Sequence, residues 1–252
     1  MPAFTWALVF LSVALSAQAL QAPRFKPQRL TAAVLPPLPG PHVTGGGEVL
    51  IEAIVDRRGL ATRPAVLRST PPYTDLVLEA VARWRFEPAR DVDYKGIEAT
   101  VEVPVTVIAI YRPPVLTNAP TVGEPPKDLM RASGDVAVAT ATVAPLYPPN
   151  ARDGGVALYE IGLDETGRVT EKRDVQSMGG FESAARDALA QFQFRPATYR
   201  ARPVPSTTYV IFGFRTPVGL VSPPAHNPGE SRPDSKPSVR SLRPASLEAF
   251  HR

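Results

Sequence analysis

The sequence predicts an α+β protein of two tandem small domains, each a three-stranded antiparallel sheet packed on one main helix. The first observation is a repeat: residues 73–89 (YTDLVLEAVARWRFEPA) and 181–197 (FESAARDALAQFQFRPA) differ by a constant shift of 108 positions. The second is the shared order of an alternating strand, a turn, a returning strand, an amphipathic helix and a valine-rich strand. Two copies indicate a duplication, each copy near the lower size limit for an independent core.

Within the first copy, residues 48–55 alternate between apolar and polar side chains, which predicts a half-buried strand. Residues 60–69 return as the second arm of a hairpin. The apolar spacing of residues 73–84 predicts a helix, with Thr74 or Asp75 as its N-cap and Pro88 ending it. Residues 97–111 form a third strand, in which Pro104 marks a local edge or bulge.

The second copy repeats this order, with strands at 155–163, 168–177 and 204–215 and a helix at 181–192. Residues 136–143 could add a short strand before it. The predicted divisions are a signal peptide (1–19), a proline-rich lead-in (20–45), the first domain (46–112), a linker (113–135), the second domain (136–216) and a disordered tail (217–252). Pro37 and Pro41 of the lead-in coincide with Pro145 and Pro149 at the same shift of 108 positions, so the lead-in is assigned to the repeat unit.

Composition excludes several kinds of function. There are no cysteines, and the three histidines (His42, His226, His251) fall in predicted loops or tail, so no metal site or cofactor is expected. The net charge of +4 gives little support for a nucleic-acid partner, because acidic residues are interspersed along the repeats. No nucleophile elbow, phosphate loop or pair of catalytic carboxylates occurs, so the sequence predicts that the protein is not an enzyme.

The N-terminus predicts export. Residues 4–20 are apolar and uncharged, are shorter than a spanning helix needs, and end in the small-x-small sequence Ala17-Gln18-Ala19. A cleaved secretory signal is the first reading, and an uncleaved signal anchor is the alternative. Either reading places the rest of the chain outside the cytoplasm.

The repeated aromatic and turn residues are predicted to be structural. Two large rings close together at the end of a helix should bury the sheet against it. The turn acids have no second carboxylate or histidine at a matching distance, so they are not an acid/base pair. The predicted core residues are Trp84, Phe86, Pro88, Phe192, Phe194 and Pro196, and the predicted turn residues are Asp56, Gly59, Asp164 and Gly167.

The order of strand, Asp-x-x-Gly turn, strand, helix, aromatic-x-Phe-x-Pro-Ala and valine-rich strand resembles the C-terminal domain of TonB. TonB is the periplasmic energy transducer for bacterial outer-membrane transport. The sequence WRFEPA (residues 84–89) resembles the family's strongest signature, and Tyr147-Pro148 resembles its opening Tyr-Pro motif. The resemblance covers residues 46–111 and 145–215.

This resemblance implies a periplasmic protein that captures an extended peptide, such as the Ton box of an outer-membrane receptor, on the last strand of the domain. Here that strand covers residues 205–214, whose open edge would pair with the peptide. The first copy's strand is interrupted by Pro104 and should capture peptide less well. The predicted partner-binding residues are Pro205, Ser206, Thr207, Thr208, Tyr209, Val210, Ile211 and Phe212.

Departures from the family argue against a complete energy transducer. The apolar run has no histidine, no long periplasmic spacer is present, and Asp153-Gly154-Gly155 shortens the helix after Tyr147-Pro148. The leading hypothesis is therefore a periplasmic module that binds a peptide strand or an envelope protein, with a link to TonB-dependent transport left open. The alternatives are a structural or homodimerising envelope module and a divergent transducer held by an uncleaved anchor. Membrane contact is expected only through that anchor.

Overall fold

The computed structural model describes residues 24–40, 42–43, 45–93, 95–112, 122–123, 135–149, 151 and 153–215. The predicted signal peptide and tail lie outside these ranges, as does most of the predicted linker. The strands are β1 (Arg24–Lys26), β2 (Arg29–Ala32), β3 (Gly47–Val55), β4 (Ala61–Arg68), β5 (Arg85–Glu87), β6 (Arg90–Val92), β7 (Glu98–Thr100), β8 (Val103–Arg112), β9 (Val122–Gly123), β10 (Val138–Val143), β11 (Gly155–Leu163), β12 (Val169–Gln176), β13 (Gln193–Arg195), β14 (Ala197–Tyr199), β15 (Arg202–Val204) and β16 (Ser206–Phe214). The helices are α1 (Tyr73–Val81) and α2 (Glu182–Leu189). Neither helix in these ranges is long and apolar enough to cross a membrane.

The two repeats share one six-stranded sheet in the order β12-β11-β16-β8-β3-β4. Each repeat contributes three antiparallel strands, and β16 pairs in parallel with β8 from Tyr209↔Val107 to Phe214↔Arg112. The predicted α+β architecture of two separate domains is therefore wrong. Strands make up 52% of the described residues and helices 10%, and the protein is mostly β.

The third strand of each repeat explains why the repeats join. β8 and β16 are buried along nearly their whole length, without the polar alternation of a strand that has one wet face. If each repeat stood alone, its third strand would expose apolar side chains and a row of unpaired backbone groups. Pairing the two third strands removes both costs at once, and we call the β8–β16 contact the seam.

The two halves are related by an approximate two-fold axis that lies in the sheet and runs along the strands. This follows from the mirrored strand order and the parallel seam, and it places α1 and α2 on opposite faces. Val107 and Ile211 belong to the core around α1, whereas the adjacent Ile108 and Val210 belong to the core around α2. Each core therefore contains side chains from both repeats, which is why neither half has a complete core of its own.

A short lead-in strand precedes each half of the sheet. β2 pairs antiparallel with β5, and β10 pairs in the same way with β13. The predicted short strand at 136–143 is thus confirmed as β10. The repeated aromatic motifs form β5 and β13, so the lead-in pairs with the chain just after the helix.

The first helix begins at Tyr73 as predicted, but its predicted N-cap and its predicted end are wrong. The N-cap is Pro72, without a side-chain cap; the Thr74 hydroxyl oxygen instead accepts the N–H of Thr70 at 2.9 Å. The helix ends well before Pro88, because the N–H of Trp84 donates to the carbonyl of Val81 in a tight turn. That turn releases the chain into β5.

Candidate functional site

The strand predicted to capture a peptide lies in the middle of the sheet. β16 pairs with β11 on one side and with β8 on the other, directly after Pro205. The expectation that this strand has an open edge is therefore wrong from Tyr209 to Phe214, because the first repeat's third strand pairs with it there. Ser206 is half-buried, and the residues from Thr207 to Phe212 are 7% exposed or less.

Polar side chains meet across the seam on the face that carries α2. The hydroxyl oxygens of Thr106 and Thr208 are 2.7 Å apart, and both residues are fully buried. The Thr208 hydroxyl also donates to the carbonyl of Thr106 at 3.1 Å. The Thr106 hydroxyl donates to the carbonyl of Ala137 at 2.8 Å. The hydroxyls of the seam are thus satisfied by partners that come from the opposite repeat.

Aromatic side chains pack against the seam on both faces, around α1 and around α2. The Tyr111 ring of β8 stacks on Tyr73 of α1 with centroids 4.2 Å apart, and Phe214 meets Phe181 at the same distance in the second repeat. Beside Tyr111 in the parallel pair lies Gly213. A Cβ atom on Gly213 would lie 2.6 Å from Cε1 of Tyr111, so this glycine makes room for the ring.

The Asp-x-x-Gly turns are fixed by their own carboxylates. Oδ1 of Asp56 accepts the N–H groups of Arg58 and Leu60, both at 2.9 Å. These backbone hydrogen bonds, that of Leu60 above all, lower the pKa of Asp56 below its usual 3.8. In the second repeat the hydrogen bond from the Thr166 hydroxyl is the main cause of the lowered pKa of Asp164. Both carboxylates therefore stabilise their turns.

The turn glycines connect the two motifs of the repeat. Gly59 has a φ of +76°, and its carbonyl accepts the N–H of Phe86 at 2.9 Å. A Cβ atom there would overlap the carbonyl oxygen of Phe86, and at Gly167 it would lie 2.5 Å from that of Phe194. The turn and the aromatic motif recur together because the aromatic segment lies against the turn.

The predicted core aromatics are not equally buried. Trp84 is fully buried, Phe86 is 5% exposed and Phe192 is 6% exposed, while Phe194 is half-buried. The indole N–H of Trp84 donates to the carbonyl of Val34 in the lead-in at 2.9 Å. Pro88 follows directly after β5, and Pro196 follows directly after β13.

The predicted Tyr-Pro motif lies beside α2. The ring of Tyr147 is 3% exposed and packs edge-on against Phe181 and Phe214, with centroids 5.4 Å and 6.2 Å away. Its hydroxyl donates to the carbonyl of Asp153 at 3.0 Å. Burial raises the pKa of Tyr147, in keeping with a structural hydroxyl.

An open groove of about 330 Å³ runs between this segment and α2. Pro148 and Leu146 line one wall, and Leu146 is 45% exposed. The small side chains Ser183 and Ala184 line the helix side, with Asp187 on the same helix as the acidic group.

A partly buried ion pair on the opposite face was not predicted. The Glu160 side chain is 9% exposed, and its carboxylate accepts from the Arg173 guanidinium at 2.7 Å and 3.1 Å. Hydrogen bonding to Glu160 raises the pKa of Arg173. The same two groups bind the backbone of Leu30: the Leu30 N–H donates to Glu160 and Arg173 donates to the Leu30 carbonyl, both at 2.9 Å.

The Tyr209 side chain lies under this ion pair. Burial raises its pKa well above 10.0, with the charge of Glu160 as the next cause. Its hydroxyl has no hydrogen bond of good geometry in the described residues, although Glu160 and Gln28 are its polar neighbours. The only sequence signal for this cluster was the coincidence of Glu160 with Glu52 in the repeat.

The outer strands β4 and β12 are the two edges of the sheet. In the described residues no strand pairs with the outer side of either. β4 contains Pro64 and a residue with positive φ, Arg63 at 49°. β12 contains no proline and no such residue.

The described residues contain no cluster of His, Cys, Asp and Glu that could hold a metal ion. No family model, no curated protein and no solved structure matches the chain. The resemblance to the TonB C-terminal domain therefore stays a prediction from the sequence.

Proposed function

We propose that this chain is a non-enzymatic binding protein of the cell envelope, which captures an extended segment of a partner protein on the outer side of β12. The observation that supports this best is that β12 is a sheet edge of eight residues without proline. Such an edge offers backbone N–H and C=O groups to an incoming strand, which is the general basis of strand addition. No cofactor takes part.

The opposite edge is poorly suited to the same task. Pro64 lacks an N–H, and the positive φ of Arg63 interrupts the extended backbone of β4. These features protect an edge from pairing with another chain, so we assign capture to β12.

The side chains of β12 would set the selectivity. Asp174 points to the face of α2, where Arg186 donates to it at 2.9 Å. Arg173 points to the opposite face, toward Glu160. Lys172 and Glu171 alternate between these faces, so an added strand would meet charges of both signs on each side.

The resemblance to TonB supports a periplasmic location and a peptide of an outer-membrane receptor or another envelope protein as the partner. An uncleaved signal would instead anchor the module in the inner membrane. A structural role is the second candidate, and the seam favours it, because the repeats use the edges of their third strands on each other. In that case the outer edges would serve only as solvent-exposed surfaces or as contacts in a homodimer.

The test is fluorescence anisotropy of a labelled Ton-box peptide titrated with the full chain. Two variants, Glu171→Pro and Lys172→Pro, are compared, because neighbouring residues of an edge strand direct their N–H groups to opposite sides. One proline therefore removes an N–H that bonds to β11, and the other removes an N–H that faces the incoming peptide. The variant that retains the wild-type circular dichroism spectrum should lose peptide binding. Val66→Pro, on the same side of β4 as Pro64, is the matched control and should bind as the wild type does.

Equal binding by the wild type and the folded β12 proline variant would overturn the capture site. Absence of binding to the wild type, together with a dimer in sedimentation, would favour the structural candidate.

A further inference from the structure

The lead-in segment, residues 24–40, crosses from the first repeat to the face of the second. Gln28 Nε2 donates to the carbonyl of Thr207 at 3.0 Å, and the backbone of Leu30 binds Glu160 and Arg173. Ten residues farther along, the carbonyl of Gly40 accepts from Arg215 at 3.1 Å. The segment is thus attached to the second repeat at several positions along its length.

The Glu160–Arg173 pair binds backbone, and it does so as a neighbouring strand would. It provides an acceptor for the N–H and a donor for the C=O of one and the same residue, Leu30. Meanwhile the Leu30 side chain is 3% exposed and enters the core around α1. Recognition of an extended peptide commonly combines main-chain hydrogen bonds with a pocket for one side chain.

A segment that only filled a core would not require these charges. Burying an ion pair costs desolvation free energy, and apolar residues of similar size often stabilise as well or better. The equivalent acid of the first repeat is Glu52, and the residue opposite it on β4 is Ala65, where the second repeat has Arg173. The backbone-binding pair is therefore a feature of the second repeat.

We propose that Glu160, Arg173 and the Thr207 carbonyl form a peptide-binding site on the face of the second repeat, and that its resident ligand is this chain's own lead-in. The ligand chemistry is an extended segment with an amide side chain two residues before a leucine, as in Gln28-Arg29-Leu30. The site differs from the β12 edge, since its Glu160 and Arg173 contacts come from side chains on the sheet face and not from the outer backbone groups of β12. It does not rest on the function proposed above.

Glycines at 40, 45 and 46 lie in the connection to β3, and in this proposal the lead-in acts as a tethered ligand that can leave and rebind. Tethering raises its effective concentration to the millimolar range, which keeps the site occupied against weak competitors. Cutting the connection between the lead-in and β3 turns this contact into binding between two chains, whose affinity can be measured.

The experiment starts from the full chain with a protease site placed within residues 41–46, which is folded first and then cut. The N-terminal fragment should stay bound through gel filtration. It should also exchange with a labelled synthetic peptide of residues 24–40, followed by fluorescence anisotropy. The double variant Glu160→Met, Arg173→Leu removes both groups together, so no unpaired charge remains, and it should bind the peptide at least tenfold more weakly.

Glu52→Gln is the matched control on the opposite face of the sheet and should change the affinity less than twofold. Circular dichroism after cutting establishes that the sheet remains intact in each variant. Failure of the labelled peptide to exchange into the cut protein would overturn the proposal. So would an affinity of the double variant equal to that of the wild type.

Discussion

Gly213→Ala tests whether the two repeats form one cooperative unit. The new Cβ atom of the second repeat would lie 2.6 Å from Cε1 of Tyr111 in the first repeat, and still closer to Cδ1. The Tyr111 ring cannot move away freely, because it is 2% exposed and stacks on Tyr73 at 4.2 Å. Overpacking of this kind costs about 1–3 kcal/mol. The lower entropy of the unfolded alanine chain offsets about 0.4–1 kcal/mol of it.

The assay is guanidinium unfolding followed by the fluorescence of Trp84, which lies in the first repeat, with the other tryptophan removed by Trp6→Phe in every variant. Gly213→Ala should lower the free energy of unfolding seen by Trp84 by about 1–2 kcal/mol, even though the substitution is in the second repeat. In a Tyr111→Ala background the ring is gone, so the same substitution should cost close to zero. The difference is a coupling free energy of at least about 1 kcal/mol.

Gly162→Ala is the control, because the atoms nearest to its added Cβ belong to Glu171 and Thr170 of its own repeat, at 3.2 Å or more. Its effect should add to that of Tyr111→Ala within about 0.5 kcal/mol. An unchanged Trp84 transition in Gly213→Ala, or full additivity with Tyr111→Ala, would refute the shared sheet.

Three further predictions follow from single contacts. The pKa of Asp164 is lowered below 3.8, so the stability that its charge contributes is complete above that pH and is lost as the pH falls through the folded-state pKa. Asp164→Asn should therefore be less stable at neutral pH, with a difference from wild type that shrinks in urea titrations below pH 3.8. Trp84→Phe removes the donor to Val34 and should cost about 1–3 kcal/mol in unfolding followed by circular dichroism; no loss would contradict the contact. Arg173→Met alone leaves the Glu160 carboxylate without its cationic partner and should cost about 3 kcal/mol, whereas adding Glu160→Met should restore only part of the stability in the same assay, because the backbone of Leu30 still lacks both partners.

The local order of elements could be predicted from the sequence, because its signals are local. The turns at Asp56 and Asp164, the hairpin arms and the two helices follow from side chains within a few residues of each other. Helix ends were less predictable, since α1 ends in a tight turn that the proline at 88 does not determine. The short strands β5 and β13 were not predicted, because they form only by pairing with β2 and β10, which are distant in the sequence.

The joining of the repeats was not predicted, although part of its signal is present. Residues 105–111 and 207–214 are apolar at nearly every position, which is typical of a strand buried on both faces. Periodicity cannot identify the neighbour, which could be a peptide, a second copy or the other repeat. Pro104 predicted a local edge or bulge in this strand. It lies in the part of β8 that pairs with β3 alone, since pairing with β16 begins at Val107.

The Glu160–Arg173 pair could not be predicted, because the lead-in that it binds is far away in the sequence. A charged residue within a strand is predicted to face solvent unless the segment that covers it is known. Only the tertiary structure brings Leu30 to that position.

The seam also determines the order in which the molecule can be completed during synthesis. β8 is made long before β16, so the first repeat emerges with an apolar strand whose outer side has no partner. Contacts between such distant parts of a chain form slowly, and exposed strand edges of this kind promote association between chains. Pairing of β16 with β8 therefore protects the chain against aggregation. A chain that stops before residue 206 would leave β8 as an exposed edge that can pair with other chains.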